Sequence, residues 1–395
     1  MSVLLRDRGR AGSGRVAMVE LFFDLVFVFA VTQLSHTLLA QLTVENLAHV
    51  TLLFLGVWWV WMYTAWTTNW LDPEKLPVRV CLFLLTIAGL FLSMSIPEAF
   101  AERGLVFACA YAAMQVGRTL FVLWAVRDGT TPRLANNFTR ICIWLSLSGT
   151  FWIVGGLAAP GERLGWWILA LGIEMIAPWT LYWVPALGRS ATSDWNVDGG
   201  HMAERCALFV IIALGESLLV TGATFAELQW DGATLVAFFS AVLGSILMWW
   251  IYFDTGAERA AHRLLHAQDP GRQARSAYTY VHIVIVAGII VCAVADETVL
   301  MHPHHGSDGA LLAILGGPAC YLAGAAWFKW VMNDRKTPPL SHVVGLLLLG
   351  LLAWPTLSHA ITPLIAGAAT TLVFAVVACW EAIALSAKRQ SAAVT

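Results

Sequence analysis

The sequence predicts an all-α, polytopic transmembrane helical bundle of about twelve helices, arranged as two parallel six-helix repeats, and three observations predict it. The first is composition: 59% of the 395 residues are hydrophobic and 12% are charged, against about 45–50% apolar and about 25% charged in a soluble domain. The second is a series of long apolar windows, and the third is the placement of the basic residues between them. Such a chain meets lipid over most of its surface.

Taken in order, the apolar windows fall at 17–40, 46–68, 78–97, 104–126, 139–158, 165–186, 204–225, 232–253, 277–297, 309–332, 341–358 and 361–386, bounded by charge, proline or glycine. Each approaches the roughly 20 residues that a helix needs to cross a bilayer. Continuous runs of this length mean helices, because barrel strands alternate in and out over about ten residues. No stretch remains for a sizeable domain outside the membrane. The short, Arg-rich segment before residue 16 runs into Glu20 and Asp24 without a small-residue cleavage pattern, so it reads as leading into a retained first helix.

Of 23 lysines and arginines, nineteen fall on one side of the predicted membrane: Arg6, Arg8, Arg10 and Arg15, Lys75 and Arg79, Arg127, Arg133 and Arg140, Arg189 and Arg205, Arg259, Arg263, Arg272 and Arg275, Arg335 and Lys336, then Lys388 and Arg389. The other side holds Arg103 and Arg163, and Arg118 and Lys329 lie inside windows. Cytoplasmic loops carry the basic excess, so both termini are expected in the cytoplasm of a bacterial inner-membrane protein. One window too many or too few would invert every later loop and erase the asymmetry, which favours twelve. The far loops, Ala226–Asp231 and Asp296–Asp308 among them, read as acidic or neutral.

Twenty tryptophans cluster near window ends, at Trp66 and Trp70, Trp166 and Trp167, Trp179 and Trp183, and Trp327 and Trp330, as headgroup-level anchors would. Seven cysteines are scattered singly, without a Cys-x-x-Cys pair, and read as small buried hydrophobes. No basic face for nucleic acid and no hydrolase, zincin or phosphate-loop motif is present. No cofactor is expected. The expected partners are the bilayer and a small ion or solute, and a homo-oligomer is compatible with the sequence.

The second half echoes the first. Val19 through Leu34 aligns with Ala203 through Leu218, Trp58-Trp59-Val60 with Trp249-Trp250-Ile251, Ala88-Gly89 with Ala287-Gly288, Pro97-Glu98 with Asp296-Glu297, and Trp124 and Asp128 with Trp330 and Asp334. The offset grows steadily along the chain, as loops lengthening after a duplication would make it. The expected organisation is a cytoplasmic tail 1–15, repeats 16–190 and 191–388, and a tail 389–395. Two copies of six helices enter the membrane in the same sense, and transporters built this way place their pathway between the halves.

Charge inside a bilayer costs about 2.5–3.5 kcal/mol at mid-helix on insertion scales, so intramembrane charges mark function or pairing. Glu20 and Asp24, at i and i+4, share one face of helix 1. They read either as a cation or proton site or as partners for Arg205 or Arg15. Glu216, between Gly215 and Ser217, lies centrally in helix 7 and reads as functional. With Asp24, Thr32 and Ser217 it would line a path between helices 1 and 7, and Glu20, His36, Glu204 and Arg205 complete the candidate set. His36 reads as a helix–helix hydrogen-bonding residue. Arg118 and Glu174 are expected to neutralise one another, and Lys329 and Glu381 to reach the headgroups. The loop residues His302, His304 and His305, with Asp308, could take a transition metal, but their spacing is irregular and no metal is assigned.

The stretch Val19-Glu20-Leu21-Phe22-Phe23-Asp24-Leu25-Val26-Phe27-Val28-Phe29-Ala30-Val31-Thr32-Gln33-Leu34-Ser35-His36 resembles the opening signature of the bacterial low temperature requirement A family. The resemblance returns at His201-Met202-Ala203-Glu204-Arg205 and at Leu208 through Glu216, and covers about residues 15–386. It implies a polytopic membrane protein named for growth in the cold and fixes no mechanism. Phe22-Phe23-Asp24, with Val26, Phe27, Ala30 and Thr32, is also similar to the Phe-Ser-Asp helix of potassium channels made of two six-helix repeats. Here Phe23 replaces the serine and Leu208 stands where the second aspartate would be. The reading that results is a channel or secondary transporter for a cation or proton-coupled small solute, more a carrier than an enzyme. The alternatives are a membrane-embedded enzyme acting on lipid or isoprenoid, with Glu20, Asp24, His36 and Glu216 as acid–base groups, and a structural or regulatory protein.

Overall fold

The computed structural model describes residues 4–7, 15–129, 131–191, 197–254, 275–332 and 337–394. Arg8, Arg10, Arg259, Arg263, Arg272, Asp334, Arg335 and Lys336, and the side chains of Arg275, Lys388 and Arg389, lie outside what is described. The described residues form twelve α-helices: α1 Met18–Ala40, α2 Val44–Trp70, α3 Leu76–Ser95, α4 Gly104–Ala125, α5 Pro132–Leu157, α6 Pro160–Ile176, α7 Gly199–Glu227, α8 Gly232–Tyr252, α9 His282–Met301, α10 Asp308–Met332, α11 Leu340–Leu357 and α12 Pro363–Val394. Eleven, all but α6, are long and apolar enough to cross a membrane.

Local chemistry sets the ends. Proline in the first turn opens α3, α5 and α6, where its missing N–H costs nothing. Asp231 caps α8 by accepting from the Thr234 backbone N–H at 2.8 Å, which holds its exposed carboxyl below the usual pKa. Within the spans hydroxyls satisfy themselves on the preceding turn, as with Thr64 to Val60 O at 2.9 Å and Thr86 to Leu82 O at 2.9 Å.

The sixth helix departs from the expected window. It begins at Pro160 and stops at Ile176, because Pro178 has no N–H for the Glu174 carbonyl and its ring crowds that position. The chain then turns, with Leu181, Tyr182 and Ala186 at positive φ and the Tyr182 N–H on Ala177 O. Seventeen residues give about 25 Å of helix, at the lower limit for a crossing. Elsewhere helices overrun their windows: α5 and α7 begin early, and Arg133, Arg140 and Arg205, counted with the loops, are helical; α9 runs to Met301, so Asp296 and Glu297 are helical and not part of a loop. An amphipathic turn can extend a helix past its apolar run, since the helix satisfies its own backbone.

The described residues divide into two compact units, those within 4–37 and 44–205, and those within 38–43, 206–254 and 275–394. In the first, α4 packs on α3 and α5, α5 on α6, and α2 on α4 and α6. Its core is aromatic: Trp58, Trp59, Trp61, Trp152 and Trp167 are fully buried. In the second, α9 and α10 share the most extensive contact, and α12 packs on α8, α10 and α11. Small residues allow this approach: a Cβ on Gly288 would lie 2.5 Å from the Tyr321 backbone nitrogen, and one on Gly317 2.7 Å from that of Cys292.

Trp179, Trp183, Trp327 and Trp330 are exposed near helix ends, as anchors are, whereas Trp70 and Trp167 are buried core residues. All seven cysteines are free; Cys206 and Cys292 are buried but Cys109 and Cys379 are exposed. Lipid is as apolar as a protein core, so a thiol on the outer face pays no penalty there.

Candidate functional site

The acidic pair of α1 sits in a buried network of the first unit. Glu20 and Asp24, one turn apart, are both fully buried. Asp24 receives a bidentate pair from Arg205 on the first turns of α7, Nη1 to Oδ2 at 2.7 Å and Nη2 to Oδ1 at 2.8 Å, and a third bond from Trp61 Nε1 at 2.9 Å. The guanidinium carbon also lies 5.4 Å from the centre of the Trp61 ring. Planar fork-to-carboxylate geometry is the strong form of an ion pair, and the indole face offers a second attraction.

Glu20 is held by Arg6 Nη2 at 2.9 Å, by His201 Nε2 at 2.9 Å and by its own helix start, where the Ala17 N–H donates at 2.8 Å. Arg6 reaches in from before the helix. Its Nε donates to Thr68 O at 2.7 Å, and its backbone N–H donates to Trp70 O at 2.8 Å, tying the segment to the end of α2.

The histidine's tautomer follows from its neighbours. Asn69 Oδ1 accepts from the Asp198 N–H at 2.9 Å, so its Nδ2 faces Asp198 O at 2.8 Å and His201 Nδ1 at 3.2 Å as a donor. Nδ1 therefore accepts, and Nε2 carries the hydrogen given to Glu20, so Arg6 Nη2, 3.2 Å from Nε2, is a neighbouring positive charge and not its donor. His201 is neutral in this arrangement. A second proton would set an Nδ1–H against the Asn69 amide hydrogens, beside Arg6 and within the same network as Arg205.

A second buried cluster holds Arg118 and Glu174, but not as a direct pair. Arg118 donates to Gln115 Oε1 at 2.5 Å, Thr64 Oγ1 at 3.0 Å and Val60 O at 3.2 Å. Gln115 passes the contact on, its Nε2 donating to Glu174 Oε2 at 2.7 Å. Glu174 further accepts from Tyr111 at 2.8 Å, Ser148 at 2.6 Å and Trp152 at 3.3 Å. Four donors satisfy the carboxylate, which removes the need for the arginine to touch it.

The remaining expected residues scatter. Thr32 is half-buried and bonds to Val28 O at 3.1 Å; His36 is exposed on α1 and makes no helix–helix hydrogen bond among the described residues; Glu204 is exposed and accepts from the Val16 N–H at 3.2 Å. In the second unit Glu216 and Ser217 are buried in α7, Ser217 Oγ lying 3.1 Å from Ser245 Oγ. Lys329 does not reach for headgroups; it is buried on Glu381 at 2.5 Å. His302, His304 and His305 are exposed, and no metal-holding group of three or more His, Cys, Asp or Glu occurs among the described residues. His201, Asn69, Trp61 and Arg6 were not singled out by the charge pattern, because two are neutral polar or aromatic, one is a histidine at a window edge and one lies in the tail.

Helices that are long, apolar and largely apolar on their outer faces, with Glu20, Asp24, Arg118, Glu174 and Arg205 buried among partners, define an integral membrane protein of many spans. The stretches Val19–His36 and His201–Glu216 lie on α1 and α7, which supply most of the network. The chain belongs to the bacterial low temperature requirement A (LtrA) protein family, whose model matches residues 15–379. It is 44% identical over 385 residues to an uncharacterized protein of Rhizobium meliloti (strain 1021), an alignment covering 96% of this chain and 92% of that protein. No solved structure matches.

Proposed function

We propose that this protein is a secondary transporter or channel of the bacterial inner membrane, with both termini cytoplasmic, that moves a cation or a proton-coupled small solute. The observation that carries this reading is His201, whose Nδ1 faces the Asn69 amide while its Nε2 faces Glu20 and, at 3.2 Å, Arg6. Protonation there would turn an accepted bond into a clash of donors and force Asn69, Glu20 or the start of α7 to shift. A proton arriving at the network thus changes which helices are tied together, which is the coupling step a proton-linked carrier needs. Duplicated six-helix halves, as the sequence suggests, support the same reading.

The test is ion movement in proteoliposomes of the full chain containing a pH-sensitive dye, under an imposed sodium or proton gradient. The wild type is expected to dissipate the gradient, and Asp24→Asn combined with Glu216→Gln to bring the rate to that of empty liposomes. A double variant as fast as wild type rejects the reading. A structural role is favoured by one observation, that every carboxylate oxygen of Glu20 and Asp24 already has a partner. The two readings part on whether apolar replacement of a pair keeps ion movement.

A further inference from the structure

Within the second unit, residues of α8, α9, α10 and α12 line a small cavity of about 20 Å³, room for one water-sized occupant, that none of the candidate residues above lines. Asp296 of α9 lines it, together with Thr370 and Thr371 of α12 and Ile314 and Pro318 of α10. Asp296 lies inside a membrane-crossing helix, yet among the described residues it has no ion pair and no hydrogen bond. That sets it apart from Glu20, Asp24, Glu174 and Glu381, each of which is held by several donors or by a cation.

The other polar groups of the cavity are oxygens with lone pairs to spare. Thr370 Oγ1 gives its proton to Gly367 O at 2.9 Å; Thr371 Oγ1 gives its proton to Ser240 O at 3.2 Å and accepts from Ser240 Oγ at 3.0 Å, which leaves it one lone pair. Each hydroxyl proton is spent within the helices, so toward a further partner each oxygen can only accept. Pro318 has no N–H, which leaves the carbonyl of Ile314, four residues earlier, without its helical donor. One carboxylate, two hydroxyl oxygens and one released carbonyl make an all-oxygen set, which suits a hard cation. A single negative charge in a low-dielectric setting is neutralised by a monovalent ion, whereas a divalent one would leave excess charge.

We propose that this cavity is a binding site for a small monovalent cation of the sodium type, ligated by Asp296 with Thr370, Thr371 and the Ile314 carbonyl. Binding requires no transport, so the site stands or falls separately from the carrier reading.

The test uses the purified full chain in detergent, with sodium chloride compared against choline chloride at equal ionic strength. Sodium is expected to raise the unfolding temperature saturably, and to suppress labelling of Asp296 by a hydrophobic carbodiimide, read by peptide mass spectrometry. Asp296→Asn should abolish the sodium-dependent rise, and Thr371→Val should weaken apparent sodium affinity about tenfold, in the range that loss of a supporting ligand costs a metal site. Labelling is read on the wild type, so it stays informative if the Asn variant fails to fold. Equal unfolding temperatures in the two salts overturn the proposal, as does labelling of Asp296 that follows pH but ignores sodium, which would make the carboxylate a proton carrier only. Sodium binding without ion movement in liposomes would uphold this site and count against the carrier.

Discussion

Arg205→Ala is expected to destabilise the protein by about 3–5 kcal/mol, because it leaves the Asp24 carboxylate buried with only Trp61 to face it. Asp24→Ala should cost a similar amount by stranding the guanidinium. Replacing both, as Asp24→Leu with Arg205→Met, should recover most of the loss, since an apolar pair of like volume often matches or exceeds a buried ion pair. Unfolding in detergent, followed by denaturant or temperature, reads all three. If the double variant is no more stable than either single one, the pair is not an isolated bidentate contact and the network must be counted as a whole. The same double variant separates roles: a lock would leave ion movement intact, and a proton-linked element would lose it.

Gly288→Ala is the second large effect expected, a loss at the upper end of the roughly 1–3 kcal/mol that overpacking costs. The added methyl would sit 2.5 Å from the Tyr321 nitrogen and 2.7 Å from its Cα, and backbone cannot rotate aside as a side chain can. Gly117 and Gly316, where an added Cβ meets nothing within 4 Å, serve as controls and should accept alanine without loss. Thermal unfolding of the three variants checks it; equal stability of Gly288→Ala and the controls would mean that α9 and α10 can part without cost.

Most helix positions were legible because each depends on a local run of apolar residues, and α1, α4, α8 and α10 fall within a residue or so of their windows. The errors have local causes too. Apolar residues 177–186 looked like helix, but Pro178 forbids it; Asp296 looked like loop because acidic residues near a window end resemble a connection. The candidate site was legible in part. Glu20 and Asp24 stood out as charges on one helical face, and their pairing with Arg205 was among the readings open from sequence. His201 and Asn69 did not stand out, since their role depends on meeting across 132 positions of chain, which periodicity does not report. Arg118 and Glu174 were paired by charge, whereas the fold interposes Gln115, a neutral relay that counting charges ignores.

Two arginines run against the basic asymmetry of the loops, and neither is at liberty. Arg163 spreads its nitrogens over the carbonyls of Ala99, Ala101, Gly155, Gly156 and Ala158, at the end of α5 and in the turn after α3, while Arg103 pairs with Glu98 at 3.1 Å. Only an arginine has donors enough to bind so many oxygens at once, and a lysine at 163 would leave several of them thirsty. Arg163, in the first turn of α6, therefore fastens the end of α5 and the turn after α3 to one another.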